Sequence, residues 1–208
     1  MHNSRHWQYR LCLMLVVFIA SCLPNPQTKH PLSDPQEARL DKRLLGRWSP
    51  GGKNHIIIGK ATGRNVPPGI MKAETFGYFT DSKGKTNVER HAYFFFSTTI
   101  DKRHYANIFE CKSLMQKEPQ WGKIDSFGFI KYTVSGNKLT WVYASEKFVK
   151  DAVTKKQLQG DVWHGSTRLF PTPGGVGITD SSANLRKFVA GEDARLFDGK
   201  AAVFHREK

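Results

Sequence analysis

The chain has 208 residues, with 32 Lys or Arg against 18 Asp or Glu and a formal net charge of +14. That length holds one ordinary domain with a real hydrophobic core, and a second domain would need a linker for which there is only one candidate. Three cysteines, two of them in or beside the first apolar run, exclude a disulfide-stapled scaffold.

The first element is an address. Arg5 and Arg10 precede the run from Leu11 to Ala20, and no acidic residue occurs before Asp34. This is the charged n-region and short h-region of a secretory signal, too short for a membrane span of about 20 residues. Ile19-Ala20-Ser21-Cys22 then resembles the lipobox of bacterial lipoproteins. The resemblance implies a signal peptide over residues 1–21, cleavage before Cys22, and a Cys22 carrying diacylglycerol and usually a third acyl chain such as palmitate. The other reading is a plain secretory signal with Cys22 a bystander. Two or three acyl chains, at about 0.8 kcal/mol per buried methylene, anchor a protein stably without a membrane helix. Residue 23 is Leu rather than Asp, which by the same resemblance implies the periplasmic face of the outer membrane in a Gram-negative envelope. The mature chain keeps 30 basic and 18 acidic residues, a net charge of +12. It therefore favours anionic headgroups or polymers, or simply presents a solvated basic surface, because its Lys and Arg are spread along the chain. Export argues against nucleic acid as a partner, and no protein partner is identified. Cys111 stands alone after maturation and reads as a small buried hydrophobe at a strand end.

Residues 22–37 contain Pro24, Pro26, Pro31 and Pro35 among polar neighbours. They read as an acylated, proline-rich tether able to lift a domain over residues 38–208 roughly 30 to 40 Å from the bilayer at about 3.1 Å per residue. Leu40, Leu44 and Leu45 then have the spacing of a short helical turn. It runs into Gly46-Arg47-Trp48, a G-x-W that resembles the opening motif of lipocalins and related calycin barrels. In those families the Trp closes the narrow end of the barrel under an Arg from the last strand. The corresponding Arg here would be Arg206 or Arg168.

The remainder is rich in strand signals. His55 to Ile58 is a β-branched run, residues 63–69 are irregular, and Thr75 to Thr80 is followed by a turn at residues 81–85. Glu89 to Ile100 is the longest strand, with Phe94 and Phe96 on one face and Tyr93 and Phe95 on the other. Tyr105 to Cys111 returns as its hairpin partner. In the next hairpin Ile130, Tyr132 and Val134 share a face, Ser135 to Lys138 turn, and Leu139, Trp141 and Tyr143 come back on one face. Ser145 caps a helix over residues 146–159, Asp161 to Phe170 is a strand, and residues 171–177 form a mobile loop. Asp180 or Ser181 starts a second helix that Gly191 ends, and Ala201 to Arg206 is a final strand. The expected fold is mainly β: an antiparallel lipocalin-like β-barrel or strongly curled sheet with two short late helices. The order of these features is similar to that of small uncharacterised bacterial lipocalin-like lipoproteins, a resemblance that implies a fold and no activity.

The chemistry-bearing patterns are thin. His55, His91, His104 and His164 have no metal-ligand spacing, there is no G-x-S-x-G, and the two S-x-x-K matches, at Ser82 and Ser135, fall in predicted turns. The chain reads as a non-enzyme without metal or cofactor. Its aromatic residues are the candidates for ligand binding: Trp48, Tyr78, Phe94, Phe96, Tyr105, Phe109, Tyr132, Trp141 and Tyr143. Inward residues of a calycin barrel either fill the core or line a cup for an apolar or amphiphilic small molecule. Three functions remain open: a lipid-anchored carrier, an interaction module with a filled barrel docking a protein or anionic polymer, and an enzyme with polar groups converging at the mouth.

Overall fold

The computed structural model describes residues 26–82, 84–110, 124, 126–163 and 174–207. Cys22, Cys111 and Arg168, and the part of the expected strand beyond Trp163, lie outside them. Eleven strands are described: β1 Gln27–Thr28, β2 Gly46–Gly51, β3 Asn54–Lys60, β4 Met71–Thr80, β5 Thr86–Ile100, β6 Arg103–Glu110, β7 Phe127–Ser135, β8 Lys138–Tyr143, β9 Gly160–Trp163, β10 Gly175–Ile178 and β11 Ala202–Arg206. The helices are α1 Glu146–Thr154 and α2 Ser182–Leu196.

Eight strands close an antiparallel barrel in the order β2-β3-β4-β5-β6-β7-β8-β11, with β11 back on β2 and β6 paired to β7. Closure pairs the eight barrel strands with one another around the ring, which suits strands joined by tight hairpins. The turns are local. Asp101 and Lys102 take φ of 48° and 64° between β5 and β6, and Gly136 takes 56° between β7 and β8. Tyr132 faces Trp141 and Val134 faces Leu139 across the second hairpin, the pairing its alternation requires.

The strands bury both faces, and the described residues form three cores. One fills the lumen, around Trp48, Ile58, Met71, Phe95, Tyr132, Leu139 and Phe204. A second lies outside the barrel wall, where Tyr105 and Phe129 meet Leu32, Val149, Val176, Leu185, Val189 and Leu196. The third, also outside, joins Phe94, Phe96, Phe109 and Phe127 to Ala38, Ala61 and Ile70.

Four expectations are corrected. First, the described part of the tether is docked onto the barrel rather than extended in solvent. β1 pairs with the start of β7 and with β10, Leu32 N donates to Asn107 Oδ1 at 2.6 Å, and Ser33 and Thr98 hydroxyls lie 2.5 Å apart. Asp34 caps a 3-10 turn at Pro35–Glu37. The prolines hold the chain extended, but β8 turns away at Tyr143, leaving the β7 edge beyond Ile130 for this segment to pair with. Second, α1 ends at Thr154, because Lys156 takes a φ of 57° and Gln157 and Leu158 both donate to Ala152 O, tucking Leu158 into the second core. Third, α2 runs through Gly191 for another turn. Asp193 and Leu196 are buried against the barrel, and Asp193 accepts from Tyr105 at 2.6 Å and from Lys131 at 2.6 Å.

Fourth, the glycine run at 174–177 is largely strand β10 rather than a loop. Trp163 lies across it, and a Cβ on Gly175 or Gly177 would come within 2.4 or 3.1 Å of the indole ring. Glycine here makes room for an aromatic ring from the neighbouring strand, not for motion. The amphipathic turn before β2 is present as a single turn, with Leu44 N donating to Asp41 O and Leu45 N to Lys42 O.

Candidate functional site

Residues paired across a ladder share a face, so the lumen can be traced strand by strand. From Ile56 and Ile58 it passes to Thr75, Ala73 and Met71, then to His91, Tyr93 and Phe95. It continues through Ile108 and Ala106 to Ile130 and Tyr132, then Tyr143, Trp141 and Leu139, and returns through Ala202, Phe204 and Arg206 to Trp48.

The nine aromatic candidates therefore divide. Trp48, Tyr132, Trp141 and Tyr143 face the lumen, and all four belong to its core or pack against it. Phe94, Phe96 and Phe109 face outward into the third core, Tyr105 into the second, and Tyr78 lies outside near His55, with ring centroids 6.2 Å apart. Hydrophobic alternation cannot say which of two covered faces is the lumen. The inner-wall residues absent from the candidate set, Tyr93 and Phe95, were the opposite face of the same strand.

Among the described residues, one end of the lumen, the closed end, is covered by a crossing segment and the other, the open end, is not. At the closed end Trp48 is fully buried and its Nε1 donates to Leu44 O at 2.7 Å. Arg206 Cζ sits 4.2 Å from the Trp48 ring, with Nη1 donating to Leu45 O and Nη2 to Arg43 O, each at 2.5 Å. The cap thus combines a cation over an aromatic face with two charge-assisted hydrogen bonds. Gly46 belongs to this geometry, since its φ is 127° and a Cβ there would lie 2.6 Å from Arg206 Nη1. Beside it Tyr132 donates to Asp41 Oδ2 at 2.8 Å and receives from Ser97 at 2.8 Å, while Arg43 holds Asp41 through Nη2 at 2.7 Å. Burial raises the Asp41 carboxyl, but its bonds to Arg43 and Tyr132 outweigh that and leave it below its ordinary value. Burial foremost, and the Asp41 charge, push the Tyr132 phenol up despite the hydrogen bond from Ser97. The His104 ring lies 5.7 Å from that of Tyr132, and burial and the Arg43 charge lower its pKa.

The open end differs in exposure. Thr75, His91, Tyr93, Ile108, Trp141, Tyr143 and Ala202 line it and are only partly buried, whereas Met71, Leu139 and Trp48 deeper in the lumen are completely buried. The Trp141 ring packs 4.7 Å from that of Phe204, so the deep core forms the floor of the mouth. Burial and the neighbouring Tyr93 raise the Tyr143 phenol above its ordinary value. His91 Nε2 lies 3.0 Å from Glu89 Oε1 and its ring is 6.4 Å from that of Tyr93. Aromatic surface with a few polar groups on one rim suits a molecule with an apolar body and a polar head. Among the described residues no group of three or more His, Cys, Asp or Glu could hold a metal ion. No family model, curated protein or solved structure matches the chain.

Proposed function

We propose that this is a lipid-anchored envelope protein of lipocalin-like type that binds an apolar or amphiphilic small molecule at the open end of its barrel. The observation that carries the reading is the gradient in burial along the inward aromatic residues. Trp48 and Tyr132 are sealed, while Tyr93, Trp141 and Tyr143 remain partly accessible on an apolar floor. The inward residues that keep some exposure lie at the end where His91 sits 3.0 Å from Glu89, so a bound amphiphile would place its polar group there. Anchoring through acylated Cys22, and residence on the periplasmic face of the outer membrane, are supported by the Ile19 to Cys22 sequence and by Leu23. The G-x-W, with Arg206 over Trp48, supports the lipocalin-like assignment.

The test is titration of the purified domain with a fluorescent fatty acid. Saturable binding that Trp141→Ala weakens at least tenfold, in a variant that unfolds cooperatively, is expected. No binding by the unmutated domain overturns the carrier reading. A second reading, an interaction module docking a protein or an anionic envelope polymer, draws on the buried lower lumen and on the mature chain's 30 basic against 18 acidic residues. Salt-sensitive binding of an acidic polymer without fatty-acid binding would favour it.

A further inference from the structure

Among the described residues, the inner wall at the open end holds an acid and no Lys or Arg from the barrel strands. We infer, resting on the small-molecule reading above, that the bound molecule carries a cationic head, an ammonium group, and that Glu89 receives it.

Alternation along the ladders sorts the charged side chains of this end into two sets. Glu89 pairs with Gly77, two residues along from the pair of His91 with Thr75, so it shares their inward face on the β4–β5 hairpin. Its neighbour Arg90 pairs with Phe76 on the outward face. There the Arg90 guanidinium lies 5.2 Å from the Phe76 ring and donates to Glu74 Oε2 at 2.5 Å. Lys72 holds the other oxygen of the same carboxylate at 2.6 Å. On β7, Lys131 also points outward, to Asp193 at 2.6 Å. Arg206 faces inward, but at the closed end, where it is committed to the carbonyls of Arg43 and Leu45. Lys53 and Lys85 stand in turns beyond the strands and are exposed. A chain with 32 basic residues thus turns none of its strand cations into the mouth.

Glu89 is placed to act. Its side chain is 38% exposed, and the position directly across the ladder, Gly77, has no side chain to compete for the space. His91 Nε2 lies 3.0 Å from Glu89 Oε1, yet that nitrogen is buried and makes no hydrogen bond. The contact is therefore not an aligned bond, and it leaves the carboxylate's lone pairs to an incoming donor. Deeper on the same face come Tyr93, its ring 6.4 Å from that of His91, and then Phe95. An ammonium bonded to Glu89 would run its alkyl chain inward over these rings, whose faces attract a cation at the rim and pack against methylenes below.

The overall charge of +14 works in the other direction and favours an anion. The two influences predict opposite orders of binding. Exposed lysines act through water and are screened beyond about 8 Å at physiological ionic strength, whereas a head held against one carboxylate in a partly desolvated wall is screened much less. An anionic head in the same place would meet Glu89 as a like charge.

The experiment uses the chain from residue 22 onward with Cys22→Ser, which leaves every described residue in place. It is titrated calorimetrically with dodecylammonium, dodecanol and dodecanoate, which share one tail and differ in the head. Dodecylammonium is expected to bind about tenfold more tightly than dodecanoate, with dodecanol between them. Glu89→Gln keeps the size and removes the charge, and should bring the amine and the acid to within about threefold of each other. Glu74→Gln, on the outward face, should leave the original ratio in place. Dodecanoate binding as tightly as the amine, or an amine preference that survives Glu89→Gln, overturns the inference while the carrier reading stands. If none of the three binds, the carrier reading falls and the cationic head falls with it.

Discussion

The two ends of the barrel are made from the same kinds of residue and behave as opposites. At each, inward aromatic side chains approach the rim: Trp48 at one, Tyr93 and Tyr143 at the other, with the cross-strand pair Tyr132 and Trp141 between them. At the closed end the chain entering β2 folds across the opening, so that Leu44 is buried and Arg206 gathers two of the segment's carbonyls above Trp48. At the open end the chain leaving β8 turns outward instead, with Ser145 N donating to Leu196 O as α1 begins on the flank. Among the described residues, what separates the two ends is therefore the path of the connecting segments, not the composition of the strands. Stability concentrates where the segment crosses, and accessible aromatic surface persists where it does not.

That contrast sets the largest expected effect. Trp48→Ala removes a fully buried indole together with its hydrogen bond and its cation contact, and should cost about 3 to 5 kcal/mol. Trp141→Ala removes a ring that is partly exposed and should cost about 1 to 2 kcal/mol. Urea unfolding of the soluble domain measures both. Equal losses would mean that the open end is as load-carrying as the closed end, and the contrast between them would fail.

A finer cut at the closed end is Tyr132→Phe. It keeps the ring and deletes the hydroxyl that donates to Asp41 and receives from Ser97. Asp41 retains Arg43, so the loss should be about 1 to 2 kcal/mol, the scale of a buried hydrogen bond to a charged group. A variant as stable as the parent would show that this polar cluster does not secure the entry segment.

Much of the barrel could be read from the residues. The β7–β8 hairpin declared itself through alternation on both arms, Ser145 marked one helix start, the choice between Asp180 and Ser181 for the other fell to Ser181, and of the two arginines read against G-x-W it is Arg206 that lies over Trp48. Two things could not be read. A strand such as β5, apolar on both faces, contains no information about which face is the lumen, so Phe94 and Phe96 were as eligible as Tyr93 and Phe95. A proline-rich, polar segment such as residues 26–37 looks solvated because its docking relies on backbone pairing, a few distant polar partners, Asn107, Thr98 and Arg186, and a single buried apolar side chain, Leu32, which makes no periodic pattern. Likewise Gly175 and Gly177 read as flexibility until Trp163 is placed over them. Each miss concerns a long-range partner, and periodicity records only local ones.

The smallest expected effect concerns pH and again separates the ends. His104 lies on the closed-end wall, its Nδ1 3.2 Å from Thr99 Oγ1 and its ring against Tyr132. Burial, then the positive charge of Arg43, lower its pKa in the folded state, and the charge of Asp41 opposes them only in part. A depressed histidine favours the neutral form on folding. Its contribution is complete above the unfolded value of about 6.5 and is lost as pH falls through the folded pKa, because the unfolded chain then binds the proton more readily. Because the ring is partly exposed, solvent screening keeps the loss under about 1 kcal/mol. Asp41 and Asp193, both held below the ordinary carboxylate range, lose their contributions in a separate window below about pH 4. Urea midpoints measured from pH 7 to pH 3 should therefore fall in two stages, and His104→Gln should flatten only the upper one. If the variant keeps the same slope between pH 7 and pH 5, the upper stage belongs to histidines elsewhere, and the closed end is insensitive to protonation until its carboxylates titrate.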